Sequence, residues 1–221
     1  MRVAAVIPAF NEEATVAAVV EGARRYVPEV VVVDDGSTDR TADRAAHAGA
    51  RLIRLPQNRG KGGALRAGLA NVLALGCSHV LLMDADLQHD PEDIPRLLSA
   101  AGSADLVLAE RVFVKESMPA ARYYSNVIGS QILSCFIGRP VADSQSGFRL
   151  VAADLLQKLT LTATGYEIET EMLIKLARSG ARIARLPIRA RYDGKRSKLR
   201  PFRDTFRTCM LAVRYRYLPG R

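Results

Sequence analysis

The chain of 221 residues has the length of one domain, and its 48% apolar and 25% charged residues are those of an ordinary globular protein. Its three cysteines are odd in number and form no CxxC pair, which excludes a disulfide framework and a zinc site and favours a reducing cytoplasm. The net charge of +9 is uneven, because residues 182–221 hold 13 Lys and Arg against two acidic residues, and this basic end predicts an anionic partner such as a phosphate, a membrane surface or a nucleic acid.

Strands and helices alternate through the first half of the chain. Short apolar runs predict strands over residues 3–7, 30–33, 51–55, 80–83 and 105–109. Apolar spacing and capping residues predict helices over about 13–26, from 39 to 49, over about 60–75 and over 91–101. Because strands and helices alternate strictly, the sequence predicts an α/β fold with a mostly parallel central sheet and helices on both faces.

The pattern changes after Arg111. The sequence predicts helices over 123–137, 150–159 and 168–179, a loop over 141–147, a strand over 182–188 and a basic amphipathic helix over 201–217. No run of about 18 apolar residues occurs, so the sequence predicts no transmembrane helix. The N-terminus turns polar too quickly for a signal peptide.

The strand at 80–83 runs directly into Asp84-x-Asp86. Two carboxylates two residues apart converge on one ion only if the chain turns there, and Asp90-Pro91 favours a turn. Their hard oxygen atoms suit Mg²⁺ or Mn²⁺, whose sites are commonly completed by substrate phosphates. The alternative, a helix N-cap at Asp90, explains the residues from Asp90 onward but leaves the two earlier aspartates unexplained.

Acidic residues follow three successive strands, at Glu12, at Asp34-Asp35 and at the Asp84-x-Asp86 motif. Such charges would repel each other at one sheet edge unless a cation or a ligand lay between them, which favours a metal-bound nucleotide. No GxGxxG follows the first strand and no GxxxxGK[ST] occurs, so a Rossmann dehydrogenase and a P-loop NTPase do not fit. The glycine-rich 60–63 segment has a second interpretation, in which it only lets a helix start close to the sheet.

These motifs resemble those of the family 2 glycosyltransferases, which have the GT-A fold. The matching segments, in order, are VIPAFNEE (6–13), VVDDGSTD (32–39), NRGKG (58–62), MDADLQH (83–89) and SQSGFR (144–149). Within the family, DADLQH, SGFR and the basic run 191–198 are most similar to dolichol- or polyprenyl-phosphate sugar transferases. The resemblance covers nearly the whole chain and implies one GT-A domain, with a nucleotide-sugar-binding half over about 1–111 and an acceptor-binding half over about 112–221.

The resemblance also implies residue roles. The metal and diphosphate would be surrounded by Asp84, Asp86 and Gln88, with Asp86 and Arg111 in catalysis. The residues expected to line the nucleotide-sugar site are Pro8, Phe10, Glu12, Asp34, Asp35, Lys61 and Ala85. The family inverts the sugar's anomeric centre, with GDP-mannose or a UDP-sugar as donor.

The acceptor decides the remaining chemistry. A hydroxyl acceptor needs a general base, for which Asp143 is the candidate. A polyprenyl phosphate is already anionic and needs cations instead. The candidate cations are Arg111, Arg122, Arg149, Arg191, Lys195 and Lys198. The phosphate acceptor is the preferred hypothesis, and transfer to a saccharide or small-molecule hydroxyl is the alternative.

The expected location is the cytoplasmic face of a membrane. The apolar helix at 123–137 is either ordinary core or an interfacial helix, and the basic helix at 201–217 either lies on an anionic surface or packs on the body. Without a predicted membrane span, the protein would be peripheral or depend on a separate membrane partner. A nucleic-acid-binding protein is a remote alternative that leaves the acidic strand ends without a role. Of Glu167, Glu169 and Glu171, one is expected to pair with an arginine and the others to face water, and His89 is a candidate diphosphate contact.

Overall fold

The computed structural model describes residues 1–112, 120–189, 210–211 and 214–215, without the side chains of residues 120–122 and 125. Its strands are β1 (Val3–Ala9), β2 (Glu29–Asp34), β3 (Arg51–Arg54), β4 (His79–Leu82), β5 (Leu106–Val112), β6 (Arg149–Ala152) and β7 (Ile183–Arg189). Its helices are α1 (Val16–Arg24), α2 (Thr41–His47), α3 (Lys61–Ala74), α4 (Ile94–Ala100), α5 (Ala120–Ile137), α6 (Ala153–Gln157) and α7 (Ile168–Arg178). A short 3₁₀ turn, Pro91–Asp93, precedes α4.

The strands form one sheet in the order β3-β2-β1-β4-β6-β5-β7. Within the described residues, β6 is the antiparallel member, paired with β4 on one side and β5 on the other. The remaining pairs, β1–β2, β1–β4, β2–β3 and β5–β7, are parallel. The predicted α/β fold with a mostly parallel sheet is therefore confirmed, and the carboxyl ends of β1, β2 and β4 lie at one edge of the sheet.

The four valines of β2 show why the sheet lies at the centre. Val31 and Val33 pack into an apolar cluster with α3 and α7, whereas Val30 and Val32 pack into a second cluster with α1 and α4. Helix α3 lies close to the sheet because it carries Gly68 there, where a Cβ atom would come within 2.4 Å of Val6 Cγ1. Both faces of the sheet are covered, as the unbroken apolar run predicts.

The predicted helix at 150–159 is wrong in its first part. Residues 149–152 form β6, and the helix that follows is only α6. Leu150 and Val151 are 1% and 0% exposed between two neighbouring strands, so pairing within the sheet overrides their helical spacing. Of the basic helix predicted at 201–217, the described residues 210–211 and 214–215 are helical, and the remainder lies outside the described residues. No helix in the described part of the chain is long and apolar enough to cross a membrane.

Candidate active site

The loops after β1 and β2 are tied together by short polar contacts. The backbone N–H of Asn11 donates to Ser37 Oγ at 2.9 Å, and the N–H of Thr38 donates to Asn11 Oδ1 at 2.9 Å. Glu12 N–H donates to Thr41 Oγ1 at 2.7 Å. Asn11 and Leu87 have left-handed backbone, with φ of 51° and 63°, and both lie in loops at this edge. Such conformations carry a cost outside glycine, and they concentrate at functional sites.

Asp34 and Asp35 lie side by side but have different surroundings. Asp34 is 0% exposed and accepts from Ser37 N–H at 3.1 Å, so it shapes the turn after β2. Its Oδ2 lies 3.4 Å from Arg54 Nε, within ion-pair distance. Asp35 accepts from the N–H of Arg59 at 2.7 Å, and burial raises the pKa of its carboxyl. Asp35 therefore fixes the chain just before the glycine-rich segment.

Lys61, at the start of α3, bridges two carboxylates. Its Nζ lies 2.5 Å from Asp84 Oδ1 and 2.6 Å from Glu169 Oε1. Burial alone would lower the pKa of the Lys61 ammonium, but Asp84 and Glu169 outweigh burial and raise it. Lys61 thus stays charged and holds Asp84, the first aspartate of the motif. Its predicted contact with substrate remains a prediction.

Of the two aspartates in the motif, Asp84 has its negative charge balanced by Lys61, whereas Asp86 is affected mainly by burial and by the charge of Asp84. Its Oδ1 accepts from the N–H of Gln88 at 3.0 Å, which is the turn that Asp84-x-Asp86 requires. Burial and the charge of Asp84 raise the pKa of Asp86 to about 6. A cation between the two aspartates would relieve this repulsion.

The donor set fits a hard divalent cation. Asp84 and Asp86 offer carboxylate oxygens, and the Gln88 side chain adds an amide oxygen in the same turn. The described residues hold no group of three or more His, Cys, Asp or Glu side chains that could bind a metal by themselves. Ligands of this number and kind suit Mg²⁺ or Mn²⁺ completed by phosphate oxygens. Ala85, between the aspartates, is 3% exposed and packs inward.

Arg111 and Asp143 form a buried ion pair beside Gln88. Arg111 Nε lies 2.6 Å from Asp143 Oδ2, and Arg111 Nη2 donates to Asp143 Oδ1 at 3.0 Å. Asn126 Nδ2 also donates to Asp143 Oδ1, at 3.0 Å, and Arg111 Nη1 donates to Gln88 Oε1 at 3.4 Å. Burial alone would raise the pKa of Asp143, but Arg111 outweighs burial and lowers it. The geometry is that of an anchor for Arg111 and does not favour a general base.

Arg149 does not support its predicted role in phosphate binding. It is 0% exposed, and its guanidinium donates to the carbonyl oxygens of Ser146, Glu169 and Ser144 at 2.8, 2.6 and 3.0 Å. Because the described contacts point into the protein, the residue ties the loop before β6 to α7. The SGFR motif indicates an important arginine but does not distinguish a ligand contact from this structural one.

The acidic residues of α7 correct the prediction that one glutamate pairs and the others face water. Glu169 is 4% exposed and pairs with Lys61, whereas Glu171 is 0% exposed and pairs with Lys175 at 2.9 Å. Glu171 also accepts from the N–H groups of Thr162 and Ala163 at 2.9 and 2.8 Å. Sequence reasoning missed both roles. The available signal was an acidic pair at the start of a helix whose other residues are mostly apolar.

Some of the remaining predicted residues lie in the described structure, and others lie outside it. Pro8 lies near the end of β1, and Phe10 and Glu12 lie in the loop that follows it, at the same sheet edge as the metal motif. His89 is 1% exposed, stacks on Phe148 with ring centroids 5.2 Å apart, and burial lowers its pKa to about 4. The residues outside the described structure are Arg191, Lys195 and Lys198, together with the side chain of Arg122.

Comparisons with known proteins find a matching family model, similar proteins and similar solved structures. The family model described as Glycosyl transferase family 2 matches residues 4–160. The chain is 36% identical over 201 residues to the undecaprenyl-phosphate mannosyltransferase of Micrococcus luteus, covering 85% of this chain and 83% of that protein. It is 31% identical over 212 residues to the UDP-N-acetylglucosamine–dolichyl-phosphate N-acetylglucosaminyltransferase of Methanococcus voltae, covering 85% and 84%. The structure of glucosyl-3-phosphoglycerate synthase from Mycobacterium tuberculosis with Mn²⁺, uridine diphosphate and glucosyl-3-phosphoglycerate matches 99% of this chain and 81% of that one, with a TM-score of 0.73 and 27% identity.

Proposed function

Because this chain belongs to glycosyl transferase family 2 and is therefore a glycosyltransferase, we propose that it moves a sugar from a nucleotide sugar to a polyprenyl phosphate. The donor is GDP-mannose or a UDP-sugar, and the sugar's anomeric carbon is inverted by in-line attack of the acceptor phosphate. Relatives whose names include a lipid-phosphate acceptor support this acceptor class. The alternative acceptor is a saccharide or small-molecule hydroxyl.

The donor diphosphate lies at the turn after β4 in this proposal. Asp84, Asp86 and Gln88 hold the Mg²⁺ or Mn²⁺ that accompanies it. When bound, the cation supplies Lewis-acid neutralisation of the charge that develops on the leaving nucleoside diphosphate. Glu12 and Asp35 lie at the neighbouring strand ends and contact the nucleoside. Relatives crystallised with Mn²⁺ and uridine diphosphate support the choice of metal and ligand.

The observation that carries the acceptor class is the buried pair of Asp143 and Arg111. A general base for a hydroxyl acceptor needs a free lone pair and a pKa near the working pH. Asp143 has neither, since Arg111 and Asn126 occupy its oxygens and its pKa is lowered. A phosphate nucleophile needs no base, and Asp143 instead orients Arg111 toward the metal motif. Arg111 therefore faces the incoming anion from a fixed position.

The proposal places the protein at the cytoplasmic surface of a membrane. Helix α5 directs polar side chains inward, where Ser130 Oγ contacts Asn126 Oδ1 at 3.0 Å and Ser144 Oγ at 3.1 Å. Its outer side carries Tyr124 and Ile128, which are 49% and 51% exposed. This exposed apolar surface, in a chain whose C-terminal sequence is strongly basic, suits an interface rich in anionic lipid.

A transfer assay tests the acceptor. The purified chain receives GDP-mannose, UDP-glucose or UDP-N-acetylglucosamine with Mg²⁺ or Mn²⁺, and either a short polyprenyl phosphate or the corresponding polyprenol. We expect glycosylated polyprenyl phosphate from one donor and no product from the polyprenol, as read by mass spectrometry of the organic phase. Product from the polyprenol, or transfer only to a water-soluble hydroxyl, would overturn the lipid-phosphate acceptor while keeping the glycosyltransferase.

The Asp143→Asn variant sharpens that assay. It keeps the shape of the side chain and removes the charge that a base would need. With a phosphate acceptor, we expect the acceptor KM to rise because Arg111 is less firmly held, with kcat reduced by less than about tenfold. A base role predicts a loss in kcat of about 10² to 10⁴ with KM little changed.

A further inference from the structure

We infer that Glu169 is a positioning residue, which draws the Lys61 ammonium partly away from Asp84 and thereby leaves Asp84 able to bind the divalent cation. The inference deepens the proposed function, since it concerns the same metal motif. Glu169 belongs to none of the sequence segments that predict the site, and it lies 85 positions beyond Asp84 in the chain.

The geometry brings the three side chains to one point. Lys61 Nζ lies 2.5 Å from Asp84 and 2.6 Å from Glu169, so the ammonium is shared almost equally. The side chains of Lys61 and Glu169 are 13% and 5% exposed. Gly147 makes the approach possible, because a Cβ atom there would lie 2.5 Å from Asp84 Oδ2 and 2.7 Å from Glu169 Oε1.

The backbone on both sides of the bridge is fixed. Gly62, next to Lys61, donates its N–H to Thr164 O at 2.8 Å, which anchors the start of α3 to the loop before α7. Glu169 is anchored through its own carbonyl oxygen, which accepts from Arg149 Nη1 at 2.6 Å. The contact between Lys61 and Glu169 is therefore imposed by two anchored helix starts.

The charges explain what the bridge does. A lysine facing Asp84 alone would neutralise it and compete with a divalent cation for its oxygen atoms. Glu169 accepts part of that interaction, so the cluster of Asp84, Glu169 and Lys61 keeps one net negative charge before Asp86 is added. A cation that arrives at Asp84 can displace Lys61 toward Glu169, where the ammonium still has a partner.

Removing the charge of Glu169 should therefore weaken metal binding. Partners that orient or tune metal ligands from outside the ligand set contribute about 10- to 100-fold in metal affinity. For Glu169→Gln we expect the dissociation constant for Mn²⁺ to rise by this factor. We expect the Mn²⁺ activation constant of transfer to rise in parallel, while kcat at saturating Mn²⁺ falls by less than about threefold.

Isothermal titration of the full chain with Mn²⁺, alone and with GDP or UDP after subtraction of the nucleotide blank, measures the affinity directly. Glu171→Gln is the matched control, because Glu171 is another buried glutamate on α7 and pairs with Lys175 instead. Glu169→Asp keeps the charge and is expected to bind Mn²⁺ more tightly than Glu169→Gln. It also serves as the second variant if Glu169→Gln fails to fold. In the double variant Lys61→Met/Glu169→Gln, the affinity loss caused by Glu169→Gln should disappear, since Glu169 acts through Lys61.

The outcomes separate this inference from the proposed function. Wild-type affinity in Glu169→Gln, or an equal loss in Glu171→Gln, would overturn the positioning role. A Glu169→Asp variant that binds no better than Glu169→Gln would also overturn it. A wild-type chain that binds no Mn²⁺ even with nucleotide would overturn both this inference and the metal in the proposed function. Mn²⁺ binding that depends on Glu169, in a protein that transfers no sugar to lipid phosphate, would leave the inference standing and remove only the acceptor.

Discussion

Charged residues have different surroundings in the two halves of the molecule. In residues 1–112, Asp84 and Asp86 stand at the end of a strand, partly exposed, and repel each other. In residues 120–189, Asp143 and Arg149 are 0% exposed and bond to side chains and carbonyl groups of the protein. In the proposed site, the Asp84-x-Asp86 motif therefore presents charge to a ligand, whereas Asp143 and Arg149 use charge to hold the loops that surround it. A charged residue in a family motif can have either role, and its burial and contacts distinguish them.

The largest effect that we expect is on the rate of transfer, when a carboxylate of the Asp84-x-Asp86 motif is removed. Asp86→Ala should reduce transfer by about 10³-fold, the scale of removing one electrostatic group from a reacting centre. The variant should remain folded, because it removes a carboxylate whose charge is opposed by Asp84. The measurement is initial transfer rate together with the thermal unfolding midpoint.

Asp90→Asn is the control for Asp86→Ala. Asp90 lies in the same loop and accepts from Glu92 N–H at 3.1 Å, a capping contact that asparagine can keep. We expect near wild-type activity from it. If Asp86→Ala retained activity, or if both variants lost it equally, the proposed role of the Asp84-x-Asp86 motif in transfer would be wrong.

In residues 120–189, the largest effect that we expect is on the free energy of unfolding. Arg149→Met leaves three carbonyl oxygens without their donor, and we expect a loss of about 3–5 kcal/mol in the free energy of unfolding. Arg149→Lys should recover little, because one ammonium cannot reach the three carbonyls that the guanidinium fork spans. Urea unfolding midpoints measure both.

The surface variant Arg96→Met should change stability by less than about 0.5 kcal/mol, because Arg96 is half exposed. An Arg149→Lys variant with full stability and a raised acceptor KM would instead restore the phosphate-binding role.

The same contrast explains what the sequence could predict. The sequence predicts β1, β2 and β4 and the acidic turns after them. It can do so because the signals, which are apolar runs, turn residues and carboxylates at the strand ends, all lie in short segments. The start of β6 is not, because only its two neighbours in the sheet decide between strand and helix for Leu150 and Val151. The pairing of Lys61 with Glu169 is also beyond local patterns, since it joins residues 108 positions apart.

A smaller effect is expected from Glu171, and it depends on pH. Burial alone would raise the pKa of Glu171, but the N–H of Ala163, Lys175 and Tyr215 lower it to about 2 from an ordinary 4.5. A lowered folded-state pKa gives stability that is present above the unfolded pKa and is lost as pH falls toward the folded one. Glu171→Gln should therefore cost about 2 kcal/mol near neutral pH, since it leaves buried donors poorly paired.

The difference in unfolding free energy between the wild type and Glu171→Gln should stay constant from about pH 7 to 5 and shrink between about pH 4.5 and 2. Glu167→Gln is the comparison on the same segment, with a half-buried side chain whose contact is to the local Gly165 N–H at 3.2 Å. A difference between wild type and Glu171→Gln that grew in acid would contradict the assignment.

The smallest expected effect concerns the outer face of α5, which we propose contacts a membrane. Ile128→Ser removes half-exposed apolar surface worth about 1 kcal/mol on burial, so binding to vesicles that contain anionic lipid should fall about fivefold. Gln131→Ser, also exposed on α5, should leave vesicle binding unchanged. Both variants should keep the wild-type unfolding midpoint, because neither side chain is buried.

Co-sedimentation at low and high salt separates the apolar contribution from that of the basic C-terminal region, since only the electrostatic part weakens with salt. Equal binding of Ile128→Ser and wild type at both salt concentrations would show that the outer face of α5 does not bind lipid. Membrane binding would then depend on the basic C-terminal region alone.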